Sequence, residues 1–142
     1  MSPQVDFYLL QNTSDDAPAI FACRLAEKIF LKGLNGFIQT NTQEEALYCD
    51  DLLWTFKIGS FIPHGLSQDS EESAPIKIGP EYHEHYAKTV LINLSQNVPK
   101  SFLQLTRIAE IVANQDSNKQ SARERYRFYR EQGLNILTHQ TS

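Results

Sequence analysis

Two rhythms of apolar and polar positions alternate along this chain. Short, nearly continuous apolar runs at residues 5–10, 37–39, 76–78 and 89–94 read as strands covered on both faces, the last being the clearest and so the most central. Between them lie stripes with helical period. One opens at Asp16-Ala17-Pro18, with proline near the first helical position, buries a face of Ile20, Cys23, Leu25, Ala26, Ile29 and Phe30, and stops at Gly33. A second opens at Asn41-Thr42, where Thr42 and Glu45 have capping-box spacing, and runs through Leu52 and Leu53 to about Trp54. Residues 55–80 read as largely irregular, punctuated by Gly59, Pro63, Gly65, Pro75, Gly79 and Pro80, and 81–88 as a polar loop. Residues 99–102 fit a single helical turn. Residues 106–113 read as a strand from Ile108, Ile111 and Val112, although Ala109 and Glu110 also suit a helix, because no stop signal separates them from the helix that follows. That helix begins near Asp116 or Ser117 and ends at Gly133, a residue suited to a left-handed cap, and 135–139 forms a short edge strand. Strands alternating with amphipathic helices predict an α/β fold with a mainly parallel central sheet and helices on both faces, as one domain over residues 1–142.

Composition narrows the function more than the fold. At 142 residues and 41% hydrophobic the chain can bury a real core, and its net charge of −4 disfavours a protein that lives on nucleic-acid phosphates, leaving only a local patch for an anion. Cys23 and Cys49 are the only cysteines and form neither a CxxC pair nor a disulfide framework, so two buried thiols in a reducing cytoplasm are expected. The first residues lack the basic and apolar regions of a signal peptide, and no run approaches a membrane span.

An α/β pattern invites a nucleotide, and the residues argue against one. The turn after Leu10 is Gln-Asn-Thr-Ser-Asp-Asp, with no glycine to bare the backbone amides and two carboxylates to repel phosphate; neither GxGxxG nor GxxxxGK[ST] occurs. His83-Glu84-His85 could place two imidazoles on one side of a metal, but its neighbours read as a solvated loop and no third ligand has recognisable spacing. His64, between Pro63 and Gly65, is placed to brace a turn. There is no GxSxG motif and no cysteine with a histidine partner. The alternative to a binding module is thus a small metal- or nucleotide-dependent hydrolase built on His64, His83 and His85.

Basic and aromatic groups remain. Lys119, Arg123, Arg127 and Arg130 recur at spacings of four, four and three along the last helix, which puts their heads on one flank, and Tyr126 stands beside them while Ala122 and Tyr129 turn inward. Such a row is either a solvated face that favours the helix dipole or a docking surface for something anionic and partly apolar. Trp54, Phe56, Phe61, Ile62 and Pro63 are either core lids or interface anchors.

Phe7-Tyr8-Leu9-Leu10, Leu53-Trp54, the turn Ser60-Phe61-Ile62-Pro63-His64, the strand Val90-Leu91-Ile92-Asn93-Leu94 and the run Ala122-Arg123-Glu124-Arg125-Tyr126-Arg127-Phe128-Tyr129-Arg130 with Gly133 together resemble the chi subunit of the bacterial DNA polymerase III holoenzyme. The likeness covers essentially the whole chain, in order. It implies a Rossmann-like fold without a phosphate-binding loop, no cofactor and no catalysis of its own. It further implies a one-to-one pairing with the psi subunit, which tethers chi to the clamp loader, and binding of the acidic C-terminal tail of single-stranded DNA-binding protein. Such a tail ends in an apolar ring with a free carboxylate, preceded by aspartates, and needs a pocket, a cation and a basic approach. By the resemblance, Lys119, Arg123 and Tyr126 form the tail site with Val112 as an apolar wall, Arg127 is added from spacing, and Trp54 and Phe61 face psi. The acidic loop at 67–73 and the tract at 81–88 match no pattern of the family.

Overall fold

Seven parallel strands lie side by side in the order β3-β4-β2-β5-β6-β1-β7, in a computed structural model that describes residues 2–67, 74–82 and 89–141. In chain order the elements are β1 (Gln4–Leu10), α1 (Ala17–Leu31), β2 (Asn35–Gln39), α2 (Gln43–Thr55), β3 (His64–Leu66), β4 (Ile76–Gly79), β5 (Thr89–Asn93), a 3-10 turn (Phe102–Gln104), β6 (Arg107–Val112), α3 (Asp116–Glu131) and β7 (Asn135–Thr141). Every strand pairing is parallel, so the expectation of a mainly parallel sheet holds. Parallel neighbours need crossovers, and α1, α2 and α3 supply them.

Helices cover both faces because the strands carry apolar residues on both. Ile38, Ile92, Ile111 and Ala109 face α1 and α2, packed with Cys23, Ala26, Cys49 and Leu53. Val5, Phe7, Leu91, Ile108 and Val112 face the other way and meet Ala122 and Tyr129 of α3. All five residues of β5 are buried, as its unbroken apolar run predicts, and each large aliphatic side chain so placed contributes about 1.5–3 kcal/mol.

The predicted helix ends are where the sequence puts them. The backbone N–H of Glu45 donates to Thr42 Oγ1 at 3.1 Å, and Glu45 Oε1 accepts from the Asn41 N–H at 2.9 Å, one residue earlier than a strict capping box. Gly33 and Gly133 both have positive φ, 75° and 79°, and after each the leucine N–H reaches back five residues, Leu34 to Ile29 and Leu134 to Tyr129. Beyond shifts of a residue or two at strand ends, such as β7 running to Thr141, two features differ from the pattern. Residues 64–66, expected to be irregular, form the edge strand β3, whose three residues around a glycine are too few to show a period. The 3-10 turn begins at Phe102 instead of ending there, displaced by Ser101 in a left-handed conformation (φ 56°). Among the described residues, no helix is long and apolar enough to cross a membrane.

Candidate docking groove on the last helix

Alternation in β1 and the stripe of α3 together build a groove. Because strand side chains alternate, Phe7 and Leu9 point to the α3 side, and Thr138 on β7, paired with Phe7, points with them. Opposite stand Lys119, Ala122, Arg123, Tyr126, Arg127 and Arg130, and Val112 of β6 closes the wall; the cavity measures about 390 Å³. All five residues expected at a tail site, Lys119, Arg123, Tyr126, Val112 and Arg127, line this one groove. Tyr126 is 36% exposed and its ring lies 5.4 Å from that of Phe7, so one face packs while the edge stays open. Lys119, Arg123, Arg127 and Arg130 are exposed and make no ion pair among the described residues. The floor is apolar and the rim cationic, a combination that accepts a ring and a carboxylate together. Phe7, Leu9 and Thr138 were not among the site residues expected from the sequence, although Phe7 and Leu9 belong to a run that carries the resemblance; the register of β1 and β7 brings them here.

The same helix turns one arginine inward. Arg125 is 5% exposed, and its Nε donates to Glu110 Oε1 at 2.9 Å. The other carboxylate oxygen of Glu110, fully buried, accepts from the Tyr129 hydroxyl at 2.6 Å and from Asn93 Nδ2 at 3.0 Å. Burial pushes the Glu110 carboxyl up, and the charge of Arg125 with the bonds from Tyr129, Asn93 and Arg125 works against that push. Burial, followed by the charge of Glu110, pushes the Tyr129 hydroxyl upward, which keeps it a donor. This cluster escaped the sequence reading; a glutamate inside the apolar run of β6 was the available signal.

A second, separate feature lies on the α2 side of the sheet. Trp54 and Phe61, 53% and 68% exposed, meet edge-on with ring centroids 5.6 Å apart, and fully exposed Ile58 lies between them in sequence. Beneath them His64 braces the turn as expected: Nδ1 lies 2.6 Å from the Ile62 carbonyl, Nε2 lies 3.0 Å from the Asp50 carbonyl, and the ring sits 4.7 Å from that of Trp54. His64 is therefore engaged with backbone and, at 3.5 Å from Nε2, with the Asp50 carboxylate. His83 and His85 lie outside the described residues, as does most of the acidic loop, 68–73. Among the described residues, no group of three His, Cys, Asp or Glu side chains could hold a metal ion.

Where a parallel α/β fold would hold a nucleotide, beyond the carboxyl ends of β1 and β6, the crevice is lined by Asn12, Asp15, Asn41, Glu45, Asn114 and Gln115 among others, with no lysine or arginine among the described residues. Cys23 and Cys49 are buried as expected; burial first, then Cys49 for one and Glu45 for the other, pushes both thiols up to about 12, so neither is a nucleophile near neutral pH.

The fold and its surface features define a class: a Rossmann-like module whose nucleotide crevice carries no cation among the described residues, and whose surface offers a cation-rimmed apolar groove and an aromatic patch. Within that class, the chain belongs to the family described as DNA polymerase III chi subunit, HolC, whose model matches residues 1–137. It is 34% identical over 136 residues to the DNA polymerase III subunit chi of Pseudomonas aeruginosa, covering 96% of this chain and 95% of that one. It is 32% identical over 140 residues to the subunit of the same name in Haemophilus influenzae, covering 97% of each chain. To that of Escherichia coli it is 32% identical over 138 residues, covering 93% of this chain and 94% of the other. The family is an accessory, non-catalytic subunit of a replicative DNA polymerase, so the hydrolase alternative is set aside.

Proposed function

We propose that this chain acts in the cytoplasm, as one domain over 1–142, to bridge the clamp loader to coated single-stranded DNA. In this reading the α3 groove holds the acidic C-terminal tail of single-stranded DNA-binding protein, and the Trp54/Phe61 patch pairs one-to-one with psi. The observation that carries the tail half is the groove's division of labour: an apolar floor of Phe7, Leu9, Val112 and Tyr126 under a rim of arginines that make no ion pair among the described residues. The tail's terminal ring enters the floor. Arg123 takes its carboxylate, while Lys119 and Arg127 steer the preceding aspartates. The psi half rests on exposed aromatics stiffened by His64 and each other, which lose little conformational freedom when covered.

Calorimetric titration with a peptide of the tail tests the site. Arg123→Ala weakens binding by about 1–3 kcal/mol, the range for a hydrogen bond to a charged group plus a stranded partner, and raised salt weakens the unmodified chain as well. Unchanged affinity in a folded Arg123→Ala protein would falsify the placement. For psi, Trp54→Ala with Phe61→Ala abolishes co-purification; undiminished co-purification moves the interface elsewhere.

A further inference from the structure

On the opposite face of β1 from the groove lies a larger cleft, about 770 Å³, between α1 and the open part of the sheet. It is lined by Asp6, Tyr8, Phe21, Arg24, Glu27, Lys28, Lys32, Phe56, Lys57 and Arg107, among others, so five cations face two carboxylates in a chain of net charge −4. Both carboxylates are already neutralised. Asp6 accepts from Arg107 Nε at 2.7 Å, and Glu27 pairs with Lys57 at 3.2 Å. That leaves Arg24, Lys28 and Lys32, all exposed and without an ion pair among the described residues.

Arg24 and Lys28 stand four residues apart on one flank of α1 and Lys32 caps its end four residues on, about 6 Å of helix rise between successive positions and about 12 Å in all. Partly exposed rings accompany them at two stations. Tyr8 meets Phe21 at 5.2 Å, and Phe56 precedes Lys57, whose partner Glu27 lies about 9 Å further along α1 than Phe21. A line of uncompensated cations beside separated rings suits an anionic backbone that repeats every few ångströms and carries flat bases. A duplex keeps its bases stacked away from such rings, and an acidic peptide has no repeated flat face to offer them.

We propose that this cleft binds single-stranded nucleic acid, with Arg24, Lys28 and Lys32 on successive phosphates and Phe21 and Phe56 against bases, while Tyr8, already stacked on His139, backs Phe21. The contact is weak, because three phosphates are few and the rest of the molecule is acidic. It is independent of the tail groove, since β1 sends Phe7 and Leu9 to one side and Asp6 and Tyr8 to the other.

The test is fluorescence anisotropy of a labelled oligodeoxythymidine of about fifteen nucleotides titrated with the whole chain. Neutralising three phosphates of a single strand gives a slope of log K against log salt near −2, or roughly a twentyfold loss between about 50 and 200 mM salt. Arg24→Glu with Lys28→Glu, exposed positions whose reversal leaves the circular dichroism spectrum intact, lowers affinity at least about tenfold at the lower salt. Arg123→Ala leaves it unchanged. The proposal is overturned if the oligonucleotide does not bind at low salt, if Arg123→Ala abolishes binding while the α1 reversals do not, or if a glutamate-rich peptide binds the α1 face more tightly than the oligonucleotide does.

Discussion

Arg123 and Arg125 stand two positions apart on one helix and do opposite jobs. Arg123 lines the groove and makes no ion pair among the described residues; Arg125 is sealed against Glu110. Removing Arg125 leaves a carboxylate in the core without its counter-charge, and loss of one member of a buried pair costs about 3–5 kcal/mol. Arg123→Ala removes an exposed side chain and changes folding stability by less than about 0.5 kcal/mol. Urea unfolding of the two variants reads the contrast directly. Adding Glu110→Gln to Arg125→Ala recovers part of the loss, because it removes the stranded charge while keeping an acceptor for Tyr129. Equal stability of the two single variants would mean that Arg125 is not the counter-charge. Composition could not separate these arginines, because the run from Arg123 to Arg130 looks uniformly basic. Helical register could have, since Ala122, Arg125 and Tyr129 share the buried stripe, but an inward arginine makes sense only once Glu110 is placed opposite it.

At the scale of elements, β7 is held to the sheet by more than its ladder. His139 stacks on Tyr8 with centroids 4.9 Å apart and reaches Asp6 at 3.0 Å, so buried Asp6 ties β7 to β1 and, through Arg107, to β6. Burial pushes the Asp6 carboxyl up, but the hydrogen bonds from Arg107 and His139 outweigh it and hold the group below the usual carboxylate value. A carboxyl lowered in the folded state adds stability that is fully present above its unfolded value, about 3.9, and drains away as pH falls through the folded value. Asp6→Asn therefore lowers stability at neutral pH and flattens its decline below about pH 4, which urea midpoints against pH would record. A decline as steep in the variant as in the parent would show that Asp6 does not carry the acid limb. The strands of this region were legible from their apolar runs, and the capped helices from Thr42, Gly33 and Gly133. The edge strand β3 was not, because a three-residue parallel strand is defined by the neighbour it pairs with, here β4, and not by any period of its own.

At the scale of the whole molecule, the sheet separates the two proposed partner surfaces. The tail groove uses α3 with Phe7 and Leu9 of β1, while Trp54 lies in the last turn of α2 on the opposite face, beside a turn fastened to α1 by Lys57 and Ser60 on Glu27. Alternation of strands and helices made this two-sided layering legible, but not the strand order, which depends on where each crossover lands. It is that order which sets β1 between β6 and β7 and so assembles Phe7, Val112 and Thr138 around one cavity. Two sites on opposite faces, with no shared side chain, couple by no more than about 0.5 kcal/mol unless a bistable element joins them. The rigid core between them, with β5 and β6 buried almost throughout, offers no such element. Tail peptide should therefore bind the chain alone and the chain already paired with psi with affinities equal within about twofold, and calorimetry on both preparations measures it. A tenfold difference would require that psi reach around the sheet to the groove or that the two faces communicate. Either outcome would replace the picture of a passive bridge with that of a gated one.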